Sequence, residues 1–85
     1  MIKKDIVVGL TDGLEARPIA VFVQIAGSYE SAVTVVHNER KVNAKSIMGM
    51  MSMAVAKGEP LTVIVEGSDE EKAMESLEKY LSGKE

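Results

Sequence analysis

The segment Leu61-Thr62-Val63-Ile64-Val65-Glu66 constrains the fold most. Leu61, Val63 and Val65 fall on one face, and Thr62, Ile64 and Glu66 on the other. That period of two marks a strand with one strongly apolar side. Such a side needs a second layer to cover it. The next segment supplies one. Ser68 stands three residues before Glu71, the spacing of a capping box. Asp69, Glu70 and Glu71 crowd the positive end of the helix they predict, and Lys79 lies near its negative end. Ala73, Leu77, Tyr80 and Leu81 give that helix its buried stripe.

The rest of the chain repeats the theme. Ile2 to Val8 alternates and predicts a strand, with Ile2, Ile6 and Val8 on one face. Gly9 to Gly13 is a loop. Pro18 to Ala26 predicts a helix, with Pro18 tolerated in the first turn and Gly27 as the stop. Ala32 to His37 is a valine-rich strand. Asn38-Glu39 is a turn, Arg40 to Val42 a short return strand, and Asn43 to Lys45 a connector. A second helix runs from Ile47 to about Ala56 and is stopped by Gly58 and Pro60. The order β-α-β-β-α-β-α suits an α+β domain, with helices on one face of a largely antiparallel sheet. At 85 residues, one domain over 1–85 is expected.

Several functions are excluded early. The chain has no cysteine and one histidine, so disulfides, thiolate metal sites and multi-histidine clusters are out. His37 reads as a solvated strand-end residue. No apolar run approaches the roughly 20 residues of a membrane span. The N-terminus MIKKDIVVGL is broken by Asp5 and no cleavage site follows it, so a soluble cytoplasmic protein is expected. A formal charge of −3 argues against nucleic acid as the main partner. No metal or organic cofactor is expected.

Two helical runs carry more apolar residues than a single buried stripe requires. PIAVFVQIA has Gln24 as its one polar side chain, and IMGMMSMAVA has only Ser52. Either the domain buries both helices thoroughly, or the surplus faces a partner. Four methionines within positions 48–53 favour a partner, because flexible thioethers suit adaptable contacts. If Met50 and Met53 point inward, Ile47, Met48 and Met51 face outward. Ser46 precedes this helix without the Glu or Gln of a capping box at position 49. It can serve as a simple N-cap. Alternatively it can accept a phosphate beside Arg40, Lys41 and Lys45.

GLEARP (13–18), AVFVQ (20–24) and KVNAKSIMGMMSMAVAKG (41–58) resemble the HPr-type phosphocarrier proteins of the bacterial sugar phosphotransferase system. The resemblance runs from end to end. It implies an HPr-like open-faced β-sandwich: a four-stranded antiparallel sheet in the order 1-4-2-3 with three helices on one face. It also implies two phosphorylation positions. The first is a histidine in GLHARP, phosphorylated by Enzyme I from phosphoenolpyruvate; here Glu15 occupies it. The second is the serine of KSIMG, phosphorylated by the bifunctional HPr kinase/phosphorylase; here it is Ser46.

A branch of this family lacks the histidine and keeps the serine: the catabolite-repression HPr-like proteins, known as Crh. They typically carry glutamine where this chain has Glu15. Resemblance to them implies a non-enzymatic corepressor of CcpA, a LacI-type transcription regulator, with no direct contact to nucleic acid and no membrane role. Arg17, Ile19, Ala20, Lys45, Ile47, Met48 and Met51 would contact partners, and Glu15 is expected to lie near Arg17 and pair with it. Ordinary phosphocarrier activity is the alternative, opposed by the missing imidazole. The apolar patch permits self-association, and exchange of the short first strand would give a homodimer.

Overall fold

A computed structural model describes residues 1–83. Its elements are β1 (Ile2–Val7), α1 (Ala16–Gly27), β2 (Ala32–His37), β3 (Arg40–Asn43), α2 (Ile47–Met51), β4 (Pro60–Glu66) and α3 (Glu70–Leu81). The strands form one antiparallel sheet in the order β1-β4-β2-β3. That is the order the resemblance implied.

Alternation decides which face of the sheet is covered. β4 lies centrally, with Leu61 opposite Ile6 of β1 and Val63 opposite Val35 of β2. Leu61, Val63, Val65, Val33, Val35 and Ile6 are buried together with Phe22 and Ala26 of α1 and Leu77 and Leu81 of α3. Each of the Val, Leu, Ile and Phe side chains among them contributes about 1.5–3 kcal/mol when fully buried. The opposite face stays open, with Lys3, Asp5 and Val7 exposed and Thr62 donating to Asp5 across the strands at 2.6 Å. β2 and β3 are joined by Asn38 and Glu39, both with positive φ (51° and 67°). His37 faces Arg40 in register, so this is a two-residue hairpin turn.

The structure departs from several local expectations. α1 begins at Ala16, so Pro18 sits in the first turn, where its missing N–H costs nothing. α2 is five residues long and does not reach Ala56. The chain leaves the helix at Ser52, buries Met53 and carries Val55 to a bridge with Leu14, whose N–H donates to the Val55 carbonyl at 2.8 Å. A helix continued through position 55 would lose that bridge.

Ser68 does not cap α3. Asp69 is the residue before the helix, and its side chain makes no cap bond. The Glu70 carboxylate instead accepts the Gly67 N–H at 3.0 Å. Met74 joins Ala73, Leu77 and Leu81 in the buried stripe, while Tyr80 is half-buried. His37 is not solvated either. Its side chain is 11% exposed, and Nε2 lies 3.5 Å from Glu59 Oε1.

Among the described residues no helix is long and apolar enough to cross a membrane.

Candidate functional site

The residues singled out by sequence lie at the starts of α1 and α2, two helices that pack against each other over the covered face of the sheet. The loop before α1 is shaped by a turn in which Gly13 N–H donates to the Leu10 carbonyl at 2.9 Å. Gly13 has φ +76°, and a Cβ there would come within 2.7 Å of the Val55 carbonyl oxygen. Only glycine meets both demands.

Glu15 follows as the N-cap residue of α1, with extended backbone at φ −110° and ψ −168°. Its carbonyl accepts the Ile19 N–H at 2.7 Å, but its carboxylate makes no cap bond. Among the described residues no ion pair joins Glu15 to Arg17, contrary to the pairing expected from sequence. Both side chains are exposed. Glu15 borders an open depression of about 560 Å³ that also meets Asp12, Lys57 and Glu59. The depression is therefore lined by three carboxylates, Glu15 among them, and one ammonium. No group of three or more histidine, aspartate or glutamate side chains among the described residues is arranged to hold a metal ion.

Ser46 is the N-cap of α2. Its Oγ accepts the Gly49 N–H at 3.1 Å, and its carbonyl accepts the Met50 N–H at 3.0 Å. The cap is thus real, and the side chain is nevertheless exposed. Gly49 occupies the box position for a steric reason. A Cβ there would lie 2.8 Å from Val42 Cγ1 and 3.3 Å from Ser46 Oγ. Two basic side chains frame the segment through backbone carbonyls: Lys45 Nζ donates to Tyr29 O at 2.8 Å, and Arg40 Nη1 to Ser52 O at 3.3 Å.

Beside Ser46, the apolar run 47–53 divides sharply. Met50 and Met53 are buried, whereas Ile47 is 51%, Met48 85% and Met51 55% exposed. Three large apolar side chains on a five-residue helix form a compact apolar patch. Ile19 does not extend it. At 2% exposure it belongs to the core, because α1 turns that side toward the sheet. Ala20 is exposed, and sequence reasoning missed Val21, which is 36% exposed. The run PIAVFVQIA is apolar on most sides, so its periodicity did not distinguish Ile19 from Val21.

Comparison with known proteins agrees with this geometry. The family model described as the PTS HPr component phosphorylation site matches residues 2–82. The chain is 49% identical over 77 residues to the HPr-like protein Crh of Halalkalibacterium halodurans, covering 91% of this chain and 92% of that protein. Its structure resembles the phosphocarrier protein HPr of Bacillus anthracis, with a TM-score of 0.90 at 44% identity, covering 94% of this chain and 95% of the other. It also resembles Bacillus subtilis Crh, described as a dimer with a swapped domain, with a TM-score of 0.75 at 47% identity, covering 95% and 93%.

Proposed function

The chain belongs to the HPr family of the phosphotransferase system, and from that premise we propose that it is a serine-phosphorylated regulator rather than a phosphocarrier. HPr-family phosphocarriers are not themselves enzymes. In this reading the chain is a single cytoplasmic HPr-like domain that serves as the substrate of HPr kinase/phosphorylase. Ser46 Oγ attacks the γ-phosphorus of ATP, ADP leaves, and the hydroxyl proton passes to a base of the kinase. The product is a corepressor of a CcpA-type regulator in carbon catabolite repression.

One observation carries the reading: an exposed Ser46 adjoins an exposed apolar patch; the family resemblance adds that Glu15 would stand at the phosphohistidine position. Phosphorylation would add about −1.5 to −2 charges next to Ile47, Met48 and Met51. The regulator would then meet a new anion and an apolar contact side by side, which is a conditional interface. Arg17 and Ala20 from α1, together with Lys45, complete the proposed contact set.

Phosphocarrier activity is opposed by chemistry. Imidazole nitrogen accepts and passes on a phosphoryl group, whereas Glu15 is a carboxylate beside Asp12 and Glu59, with Lys57 offsetting only part of that charge. That surrounding repels an anionic donor. A homodimer by exchange of β1 is the proposed assembly, supported by the swapped dimer described for the Bacillus subtilis relative.

The test is paired labelling. HPr kinase with ATP should label Ser46 alone, and the labelled protein should bind the regulator. Enzyme I with labelled phosphoenolpyruvate should leave the chain unlabelled. Label from phosphoenolpyruvate would refute the proposal.

A further inference from the structure

The six methionines divide into two classes. Met50, Met53 and Met74 are at most 5% exposed, while Met1, Met48 and Met51 are 73%, 85% and 55% exposed. Met48 and Met51 lie on α2 within the apolar patch, two and five residues from Ser46. Thioether oxidation depends on access, and it turns a flexible apolar side chain into a polar one. The same five-residue helix therefore holds oxidisable groups outside and a protected one, Met50, inside.

We propose that Met48 and Met51 are an oxidative modification site that switches off docking through α2. A hydroperoxide transfers one oxygen to each sulfur: the O–O bond breaks, an S–O bond forms, the thioether is oxidised to the sulfoxide, and the peroxide is reduced to water or an alcohol. The fold survives because Met50, Met53 and Met74 are shielded. The patch becomes polar without any change at Ser46, so the oxidant overrides the phosphorylation signal. Methionine sulfoxide reductases of both epimer specificities restore it. The docking consequence rests on the regulatory reading above; the selectivity of oxidation does not.

The experiment treats the whole protein with hydrogen peroxide and maps sulfoxide by peptide mass spectrometry. Sulfoxide should form at Met48 and Met51 about tenfold faster than at Met50, Met53 and Met74, with an unchanged circular dichroism spectrum. Binding of the Ser46-phosphorylated protein to the regulator should weaken about tenfold, and both reductases together should restore it. The double variant Met48→Leu, Met51→Leu still oxidises at Met1. Whatever its own affinity, peroxide should leave that affinity unchanged. Equal oxidation of the buried methionines, or undiminished binding by the bis-sulfoxide, would overturn the proposal. If even unoxidised phosphoprotein fails to bind the regulator, the regulatory reading falls. Hydrophobic-interaction chromatography then decides the switch: earlier elution after oxidation supports a patch made polar, and unchanged elution refutes it.

Discussion

Asp69 accepts hydrogen bonds from both the backbone N–H and the hydroxyl of Ser31, so one carboxylate ties the start of α3 to the entry of β2. Glu30 N–H adds a third bond to the same carboxylate at 2.9 Å. Ser31 is fully buried, and a Cβ at Gly67 would fall 2.5 Å from its Oγ, so the clamp closes against glycine backbone. The Ser31 hydroxyl and then the Glu30 N–H hold the Asp69 carboxyl below its ordinary 3.8. The Gly67 N–H, and next the N-terminal ammonium, hold Glu70 below its ordinary 4.5.

The sign of the pH dependence follows. A carboxylate whose folded pKa is depressed stabilises the fold fully above its unfolded value, and that contribution is lost as pH falls through the folded value. Stability should therefore be level near neutrality and decline from about pH 4.5 downward. Asp69→Asn should lower Tm at pH 7 and flatten the acid limb. Thermal melts across pH check this, and an unchanged acid limb in the variant would refute the clamp's role.

Ser46→Ala should remove the bond to Gly49 N–H and cost about 0.5–2 kcal/mol. Ser46→Asp keeps an acceptor at the cap and should cost less. Urea denaturation of the two variants ranks them. The reverse ranking would mean that the cap adds nothing to α2.

Ile19 and Met48 should respond oppositely to truncation or charge. Ile19→Ala opens a cavity in the core and should cost about 2–5 kcal/mol. For a domain of this size that lowers Tm by roughly 10–30 °C. Met48→Asp changes a side chain exposed at 85%, so stability should shift by less than about 0.5 kcal/mol. Regulator binding should fall in the second variant while its circular dichroism spectrum stays native.

Gly13→Ala places a Cβ at positive φ and against the Val55 carbonyl oxygen, 2.7 Å away. Strain of this kind costs about 1–3 kcal/mol. The Leu14–Val55 bridge should loosen, and hydrogen exchange at Leu14 N–H should quicken. An unchanged exchange rate would show that the loop absorbs the methyl elsewhere.

Glu15→His should restore an imidazole acceptor at the α1 N-cap. Enzyme I and phosphoenolpyruvate should then label the variant but not the parent chain. If the variant stays unlabelled, more than the acceptor has changed at this site.

Much of the framework was legible in residue order. The alternation in β4 named its buried face, Asn38-Glu39 marked the hairpin, and the motif around Ser46 pointed to the family and its strand order. The inward placement of Met50 and Met53 was anticipated as a condition, and it holds. Local pattern succeeds in such places because strand pleat and turn geometry act over two to four residues.

Other features depended on contacts distant in sequence. The Leu14–Val55 bridge ended α2 early, and Asp69 turned to Ser31 instead of a cap partner in its own helix. His37 was drawn beside Glu59, and α1 buried Ile19 rather than Val21. In each case a contact between elements distant in sequence, rather than local pattern, set the outcome. The sequence by itself determined the order of elements and the apolar face of the sheet. Only the tertiary structure decided which methionines remain outside, because exposure depends on what the other elements cover.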